Sequence, residues 1–364
     1  MDKPTIIAFY LPQYYPTKEN NEWFGEGFTE WTNVKKARPL FIGHYQPKVP
    51  TELGYYDLRN DEIRRKQAKL AQEAGVDAFC YYHYWFGNGK QMLEKPLEML
   101  MKDNEIDLPF CLCWANHTWY KKTWNSKRNE LDKKPLLKID YGDETDWRIH
   151  FYSLLNAFKD RRYYRVDEKL VFVLYRTEDI PNVVAFKEYW NMLAKKEGVG
   201  EFCFMSYVDD PAKMDEVKKE DLYIVSCKAD IESIGWHKYG RKLSRFLRSL
   251  LSQILKRPLN VYEYKDIRTK LSSPLFKYEN VFPVLLPNFD NTPRREEGAL
   301  ILHDATPEQF YMHCKEVFAY LETKQNKIVF LKSWNEWGEG NYMEPCERYG
   351  RGYIDALRRA KEEL

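Results

Sequence analysis

Glu336 and Glu339, near the C-terminus, have the residue type and spacing that acid–base chemistry needs. In a helical turn, side chains three positions apart share one face, with Cβ atoms about 5–6 Å apart. Cleavage of a glycosidic bond uses such a pair, in which one carboxylic acid protonates the leaving oxygen and the other acts as base or nucleophile. Two close acids also titrate at separated pH values, which leaves one of them protonated near neutral pH. A solvated helix start, where glutamate is common, is the alternative explanation of the spacing.

The sequence around the two glutamates favours the catalytic interpretation. They lie in the segment 333–340 (SWNEWGEG), directly after the last strand-like run of the chain. Trp334 and Trp337 flank them, and the neighbouring glycines let a ligand approach the backbone closely. The pair is therefore predicted to lie at the carboxyl end of a strand, beside aromatic rings.

Eight short β-branched or aromatic runs alternate with stretches of helical spacing, which predicts parallel βαβ units. Eight such units predict an α/β fold of the closed (β/α)8 type, a TIM barrel. An open doubly wound sheet is the alternative, but the first turn, Leu11-Pro12-Gln13, lacks the glycines of a phosphate-binding loop. The predicted strands are 5–10, 77–84, 110–116, 169–176, 202–208, 223–228, 281–288 and 327–333.

Long loops are predicted after strands 1 and 3, at 17–60 and 119–141. Loops after barrel strands lie on the face where active sites are built. No linker or low-complexity segment interrupts the pattern, so one catalytic domain over 1–364 is the simplest organisation.

The predicted strand ends carry aromatic and hydrogen-bonding side chains, and aromatic residues make up 16% of the chain. Sugar rings stack on aromatic planes, while phenol and indole edges still form hydrogen bonds. Each of these residues alone is more often a packing residue, but together they suit a polyhydroxylated, mostly uncharged ligand. The candidate sugar-binding residues are Tyr10, Gln13, Trp31, His83, Tyr84, Trp85, Trp114, Asn116, Tyr175, Tyr207, Trp334, Asn335, Trp337 and Glu344.

The sequence lacks the features that are typical of other functional classes. With 57 Lys and Arg against 55 Asp and Glu, the chain has no basic excess of the kind that nucleic-acid binders show. HExxH and GxSxG motifs are absent from the sequence, and the histidines are dispersed, so no metal or cofactor is expected. The ligand expected is an oligosaccharide or polysaccharide.

The sequence lacks a run of about 18 apolar residues and a signal peptide, and most cysteines lie in strand-like runs as buried thiols would. A cytoplasmic location is therefore expected, although a chain trimmed of its signal would look the same. The segment 241–257 has helical spacing of leucines with interspersed Arg and Lys. We interpret it as the sixth barrel helix; the alternative is a basic amphipathic helix in peripheral contact with an anionic membrane.

The segment 333–345 (SWNEWGEGNYMEP) resembles the catalytic segment of the family 99 glycoside hydrolases, which are endo-α-mannosidases and endo-mannanases. Nearly the whole chain resembles the WbsX group, named as glycosyltransferases and often encoded with genes of bacterial O-antigen or capsule synthesis. The motifs of that resemblance are 9–16 (FYLPQYYP), 23–34 (WFGEGFTEWTNV), which contains Trp31, and 81–86 (YYHYWF).

The resemblance implies a (β/α)8 barrel and retaining chemistry on an α-mannose-like sugar. By position, Glu336 would be the base toward the sugar's own 2-hydroxyl, and Glu339 the general acid/base. Gly338 departs from the hydrolases, which usually carry a bulkier residue there, and this bears on the identity of substrate and acceptor.

Together these observations predict a carbohydrate-active enzyme that cleaves or transfers a glycosidic bond of a bacterial surface polysaccharide. One alternative is a cytoplasmic glycosyltransferase of O-antigen, lipopolysaccharide or capsule biosynthesis. The other is a sugar-binding barrel without catalysis, which would not need both acids.

Overall fold

Eight parallel strands form a closed barrel in the computed structural model, which describes residues 3–125, 130–214, 217–227, 247, 250–252 and 254–364. Each strand pairs with the next along the chain. The last pairs with the first, with Ile328 opposite Thr5, which closes the sheet and confirms the predicted (β/α)8 fold. The barrel strands are β1 (Thr5–Tyr10), β2 (Ala78–Trp85), β3 (Phe110–Trp114), β4 (Lys169–Leu174), β5 (Phe202–Val208), β6 (Leu222–Val225), β7 (Val281–Leu285) and β8 (Ile328–Leu331).

The predicted strands differ from these mainly at their carboxyl ends. β3 ends at Trp114 and β7 at Leu285, a few residues before the predicted ends. The polar residues beyond them bond to loops instead of extending the barrel ladder. Asn288, for example, donates to the carbonyl of Tyr342 and accepts from its N–H. The predicted strand ends thus form the mouth of the barrel.

Helices surround the barrel and also occur in its loops. The helices of the described residues are α1 (Lys18–Phe24), α2 (Glu30–Lys36), α3 (Asp61–Glu73), α4 (Lys95–Lys102), α5 (Glu144–Phe158), α6 (Val183–Lys196), α7 (Tyr264–Ile267), α8 (Thr292–Arg295), α9 (Pro307–Leu321) and α10 (Gly352–Glu362).

The two long loops have secondary structure of their own. The loop after β1 contains α1 and α2. The loop after β3 contains an antiparallel hairpin of Trp119–Asn125 and Glu130–Leu137. Shorter strand pairs join Gln91–Met92 to β2, Arg165–Val166 to β4, Asn260–Glu263 to Leu300–His303, and Asn335–Glu336 to Asn341–Tyr342.

Aromatic side chains fill the interior of the barrel. The ring of Phe9 stacks on Tyr82 at 5.4 Å between centroids and also contacts Tyr207 and Phe330. Successive side chains of a strand point to opposite faces. Side chains next to these in sequence therefore point outward, into the layer between barrel and helices.

Much of the segment 241–257 lies outside the described residues, so neither interpretation of it is tested. No helix of the described residues is long and apolar enough to cross a bilayer. All seven cysteines fall within the described part of the chain, where they are buried and form no disulfide.

Candidate active site

The acid pair follows β8 on a short, firmly held turn. Glu336 ends the two-residue strand Asn335–Glu336, and Glu339 ends the 3-10 turn Trp337–Glu339 that comes next. Asn335 fixes the start of this turn, because its amide accepts from the N–H of Leu11 at 2.7 Å and donates to the carbonyl of the same residue at 3.0 Å. The turn is thereby joined to the end of β1.

Arg294, in α8, binds both acids. Its Nη1 atom lies 2.9 Å from Glu339 Oε1 and 3.4 Å from Glu336 Oε1. Because one nitrogen contacts both, these two oxygen atoms are at most about 6.3 Å apart. The structure thus brings the two predicted catalytic residues together, with side-chain exposures of 10% for Glu336 and 19% for Glu339.

Glu30, the first residue of α2, contacts the other edge of the same guanidinium. Its Oε2 atom accepts from Arg294 Nε at 3.1 Å and lies 3.0 Å from Nη2. Burial opposes the charge of Arg294, but Glu30, Glu339 and Glu336 together raise its pKa well above the usual value. Sequence reasoning missed both residues. Glu30 could have been found, because it lies inside the motif 23–34, whereas Arg294 belongs to no motif.

Lys332 adds a second cation inside the barrel. Its Nζ atom lies 3.4 Å from the hydroxyl of Tyr175 and 5.3–5.6 Å from the ring centroids of Tyr175 and Tyr207. These two rings, both predicted to bind sugar, stack at 4.8 Å. Burial opposes the charge of Lys332, but Tyr175, Tyr207, Tyr82 and Glu336 raise its pKa overall.

Asp290 fixes the start of α8 to the acid pair. It is buried and accepts from Gln46 Nε2 at 2.7 Å and from the N–H of Thr292 at 3.0 Å, and its own N–H donates to the carbonyl of Glu339 at 2.7 Å. His44 accepts the N–H of Leu40 at Nδ1, so its Nε2 donates to Asp290 at 2.9 Å. Asp290 thus links three separate segments around Arg294.

A buried layer supports the turn from below, and several predicted sugar-binding residues belong to it. Trp337 stacks on Tyr342 at 3.8 Å and contacts Trp31 at 5.6 Å. Glu344 accepts from Trp337 Nε1 at 2.7 Å, from Tyr56 at 2.9 Å and from Gln67 at 2.6 Å. Burial raises the pKa of Glu344 to about 7 despite these bonds. Trp31, Asn335, Trp337 and Glu344 are therefore placed to hold the acids and not to line the cleft.

Other predicted residues face the helices, because the strand pleat turns them outward. Tyr10 donates to Gln67 of α3 at 2.7 Å. His83 Nε2 lies 2.8 Å from His150 Nε2 in α5, and burial lowers the pKa of His83 to about 3. Three tryptophans are also directed outward or fully buried. Trp85 donates to Asp146, and Trp114 donates to the carbonyl of Trp85. Trp334 packs on Phe79. These positions correct the expectation that they line the cleft.

A cavity of about 900 Å³ lies beside Arg294. Gln13 is the predicted sugar-binding residue that lines it, and Asn116 holds the nearby Arg176 by two bonds to its backbone. Tyr84 packs on Trp119 at the cavity wall. Tyr175 and Tyr207 line a neighbouring cavity of about 180 Å³. The other walls of the large cavity come mostly from the long loops, with Asn20, Phe24, His117, Thr118, Trp119, Tyr120 and Tyr141.

No group of three metal-binding side chains is found in the parts of the chain described above. Hydrogen bonding and general acid–base catalysis are what the arrangement offers directly. Two carboxyl groups on a shared cation lie next to a cavity with indole, phenol and amide walls.

Two curated relatives cover almost the whole chain. Both are described as "Uncharacterized protein WxcX" of Xanthomonas campestris pv. campestris, from strains B100 and ATCC 33913, and are 32% identical to it over 364 residues. The alignments cover 98% of this chain but 49% of each relative. The chain therefore spans about half the length of the curated relatives it matches.

Two solved structures share the fold. One is described as a "Glycoside hydrolase-like protein", with a TM-score of 0.59, 14% identity and coverage of 99% of this chain and 94% of that one. The other is the GH99 endo-alpha-mannosidase from Bacteroides thetaiotaomicron, with a TM-score of 0.51, 14% identity and coverage of 98% and 95%.

A sequence model described as "Glycosyltransferase WbsX" matches residues 6–357. Fold and family are thus those of carbohydrate-active enzymes, as the sequence predicts, and the chain belongs to the WbsX glycosyltransferase family.

Proposed function

We propose that the chain cleaves or transfers a glycosidic bond of an α-mannose-like sugar in a bacterial surface polysaccharide, by a retaining mechanism with two carboxyl groups. The contact of Arg294 with both acids carries the proposal. It limits the separation of the two oxygen atoms to about 6.3 Å. Carboxyl groups are about 5–5.5 Å apart in retaining enzymes and about 6.5–9.5 Å apart in inverting ones. The bound lies just below the inverting range and is compatible with retention.

The surroundings suggest different roles for the two acids. Glu336 is the more buried and lies on the side of Lys332, whose positive charge suits a base that withdraws a proton from the sugar's 2-hydroxyl. Glu339 is the more exposed, so a leaving group and then an acceptor could reach it, as a general acid/base requires. The hydrogen-bonding groups and rings of the large cavity, which charged Arg176, Asp179 and Arg294 also line, suit a sugar chain.

The acceptor is water in a hydrolase and another sugar in a transferase. The family description supports transfer. A transferase would fit the cytoplasmic role in O-antigen or capsule biosynthesis that the sequence resemblance implies. In that setting the segment 241–257 would contact the membrane that carries a lipid-linked acceptor. A non-catalytic sugar-binding barrel explains the cavity but gives no reason for two acids on one arginine.

Replacement of the acids tests catalysis. We expect Glu339→Ala and Glu336→Gln each to reduce turnover of α-mannan-type and O-antigen oligosaccharides by about 100-fold or more, the usual effect of losing a general acid or base. Binding, measured by calorimetry, should persist in both. The control is Glu347→Gln, an exposed acid a few residues along the chain, which should keep full activity. Unchanged turnover in both active-site variants would rule out the mechanism.

An activated donor separates hydrolysis from transfer. The protein is incubated with an α-glycosyl fluoride, with and without acceptor oligosaccharide, and the products are identified by mass spectrometry. We expect a new glycoside with the anomeric configuration of the donor, formed only when acceptor is present. Free sugar alone, at the same rate in both reactions, would indicate a hydrolase. Turnover of a sugar nucleotide but never of the fluoride would contradict the proposed mechanism.

A further inference from the structure

We propose that Glu30 is a positioning residue that holds Arg294 against Glu336 and Glu339, and that Gly338 provides the space that Glu30 occupies. The inference rests on the proposed function, because it gives the same acid pair a third carboxylate. It concerns residues from three loops, after β1, β7 and β8, that only the fold brings together.

The first argument is the geometry of the guanidinium. Oε2 of Glu30 lies 3.1 Å from Nε and 3.0 Å from Nη2 of Arg294, whereas the acid pair contacts Nη1. Both nitrogens of this edge converge on the single oxygen Oε2, Nε through a hydrogen bond and Nη2 through an ion-pair contact, and this restricts rotation of the guanidinium more than one contact would. The direction in which Nη1 points is therefore determined by Glu30.

The second argument is the absence of a side chain at position 338. A Cβ atom added to Gly338 would lie 2.0 Å from Glu30 Oε2 and 2.9 Å from Arg294 Nε. No side chain fits at that distance unless Glu30 moves. The difference from the hydrolase motif at this position is thus explained by Glu30, whose carboxylate fills the space of the missing side chain.

The third argument is the support of Glu30 itself. It is 4% exposed and begins α2, where its N–H donates to the carbonyl of Gln13 at 3.3 Å. The next residue, Trp31, packs on Trp337 of the acid-bearing turn. An uncompensated buried carboxylate is costly, so a glutamate held here needs the arginine as its partner.

The charges around the pair make the role measurable. Besides Arg294 and Glu30, the ionisable groups of the described residues that interact with the acids include Lys332 and the phenols of Tyr82, Tyr84 and Tyr175. Burial raises the pKa of each phenol, which keeps Tyr82, Tyr84 and Tyr175 neutral. Tyr14, which faces Glu30, is neutral for the same reason.

The first test is Glu30→Gln, followed through the pH profile of kcat. Removing a negative charge beside two acids lowers their pKa values, so both limbs of the profile should move to lower pH, by about one unit. The maximal kcat should fall about tenfold, with a smaller change in KM. The control is Glu22→Gln, an exposed acid of α1 in the same loop. A lower kcat with both limbs of the pH profile unmoved would show that Glu30 does not affect the pKa values of the two acids, and would overturn its proposed role.

The second test needs no activity. Gly338→Ala is made in the original chain and in Glu30→Ala, and Tm is measured for all four proteins. We expect Gly338→Ala to lower Tm by about 3 °C or more in the original chain and by much less without Glu30. Equal losses in both backgrounds would overturn the contact. If the losses are unequal but the original chain turns over no glycoside or glycosyl fluoride, the contact stands and the proposed function fails.

Discussion

At the scale of single residues, the site depends on a side chain that can bind three carboxylates at once. Arginine offers five N–H donors in a rigid planar fork, and Arg294 uses both its Nε–Nη2 edge and its Nη1 atom. Lysine has one ammonium group and could not bridge the same groups in fixed directions. The separation of Glu336 and Glu339 is therefore determined by Arg294 as much as by their own turn.

Asp290 fixes the start of α8, the helix that carries Arg294, and its titration should be visible in the stability of the protein. Burial would raise its pKa, but Lys48 and the bond from His44 outweigh this and lower it to about 2, from 3.8. A depressed pKa stabilises the folded state above the unfolded value and loses that effect as the pH falls toward the folded value. We expect Asp290→Asn to reduce the free energy of unfolding by about 2 kcal/mol at pH 7.

The same argument predicts that the difference in the free energy of unfolding between Asp290→Asn and the original protein becomes smaller as the pH falls from about 4 to 2. Urea denaturation at several pH values measures it. Asp266→Asn, at an exposed position of α7, serves as the control and should change stability little. A difference that stays constant from pH 7 to pH 2 would show that the charge of Asp290 is not what stabilises this region.

At the scale of elements, the sequence predicts the strands and loops better than the direction of their side chains. Apolar runs and turn residues located all eight strands, because burial on both faces leaves a strong local signal. Because both faces of these strands are buried, apolar and polar residues do not alternate along them. The sequence therefore does not show which side chains point into the barrel and which point to the helices. Tyr10, His83, Trp85 and Trp114 were therefore expected at the cleft but point to the helices.

The two acids were predictable and their partners were less so, for a physical reason. Glu336 and Glu339 share one turn, so their proximity follows from local geometry alone. Glu30 and Arg294 reach them from loops after β1 and β7, and β1 is far from β8 in sequence but its neighbour in the closed barrel. Only closure of the sheet brings α2 beside the acid-bearing turn.

At the scale of the whole molecule, the barrel provides the acids and the two long loops provide much of the cleft. The chain matches about half of its curated relatives, and this half contains the complete barrel. The loop after β1 meets the loop after β3 through Trp23 and Trp119, whose ring centroids are 6.0 Å apart. Substrate length should therefore be sensed where these loops meet, at a distance from the reacting bond.

Trp119 offers a test of this division between barrel and loops. Its ring lines the large cavity and packs on Tyr84 at 5.2 Å and Phe86 at 5.4 Å. We expect Trp119→Ala to raise KM for an oligosaccharide about tenfold, because stacking area is lost. Turnover of an α-glycosyl fluoride should be nearly unchanged, because that small donor needs only the acids. The control is Tyr278→Ala, a half-exposed aromatic residue before β7, at the opposite end of the barrel. Equal losses on both substrates would mean that Trp119 supports the acid pair itself, and the loops would then belong to the catalytic machinery.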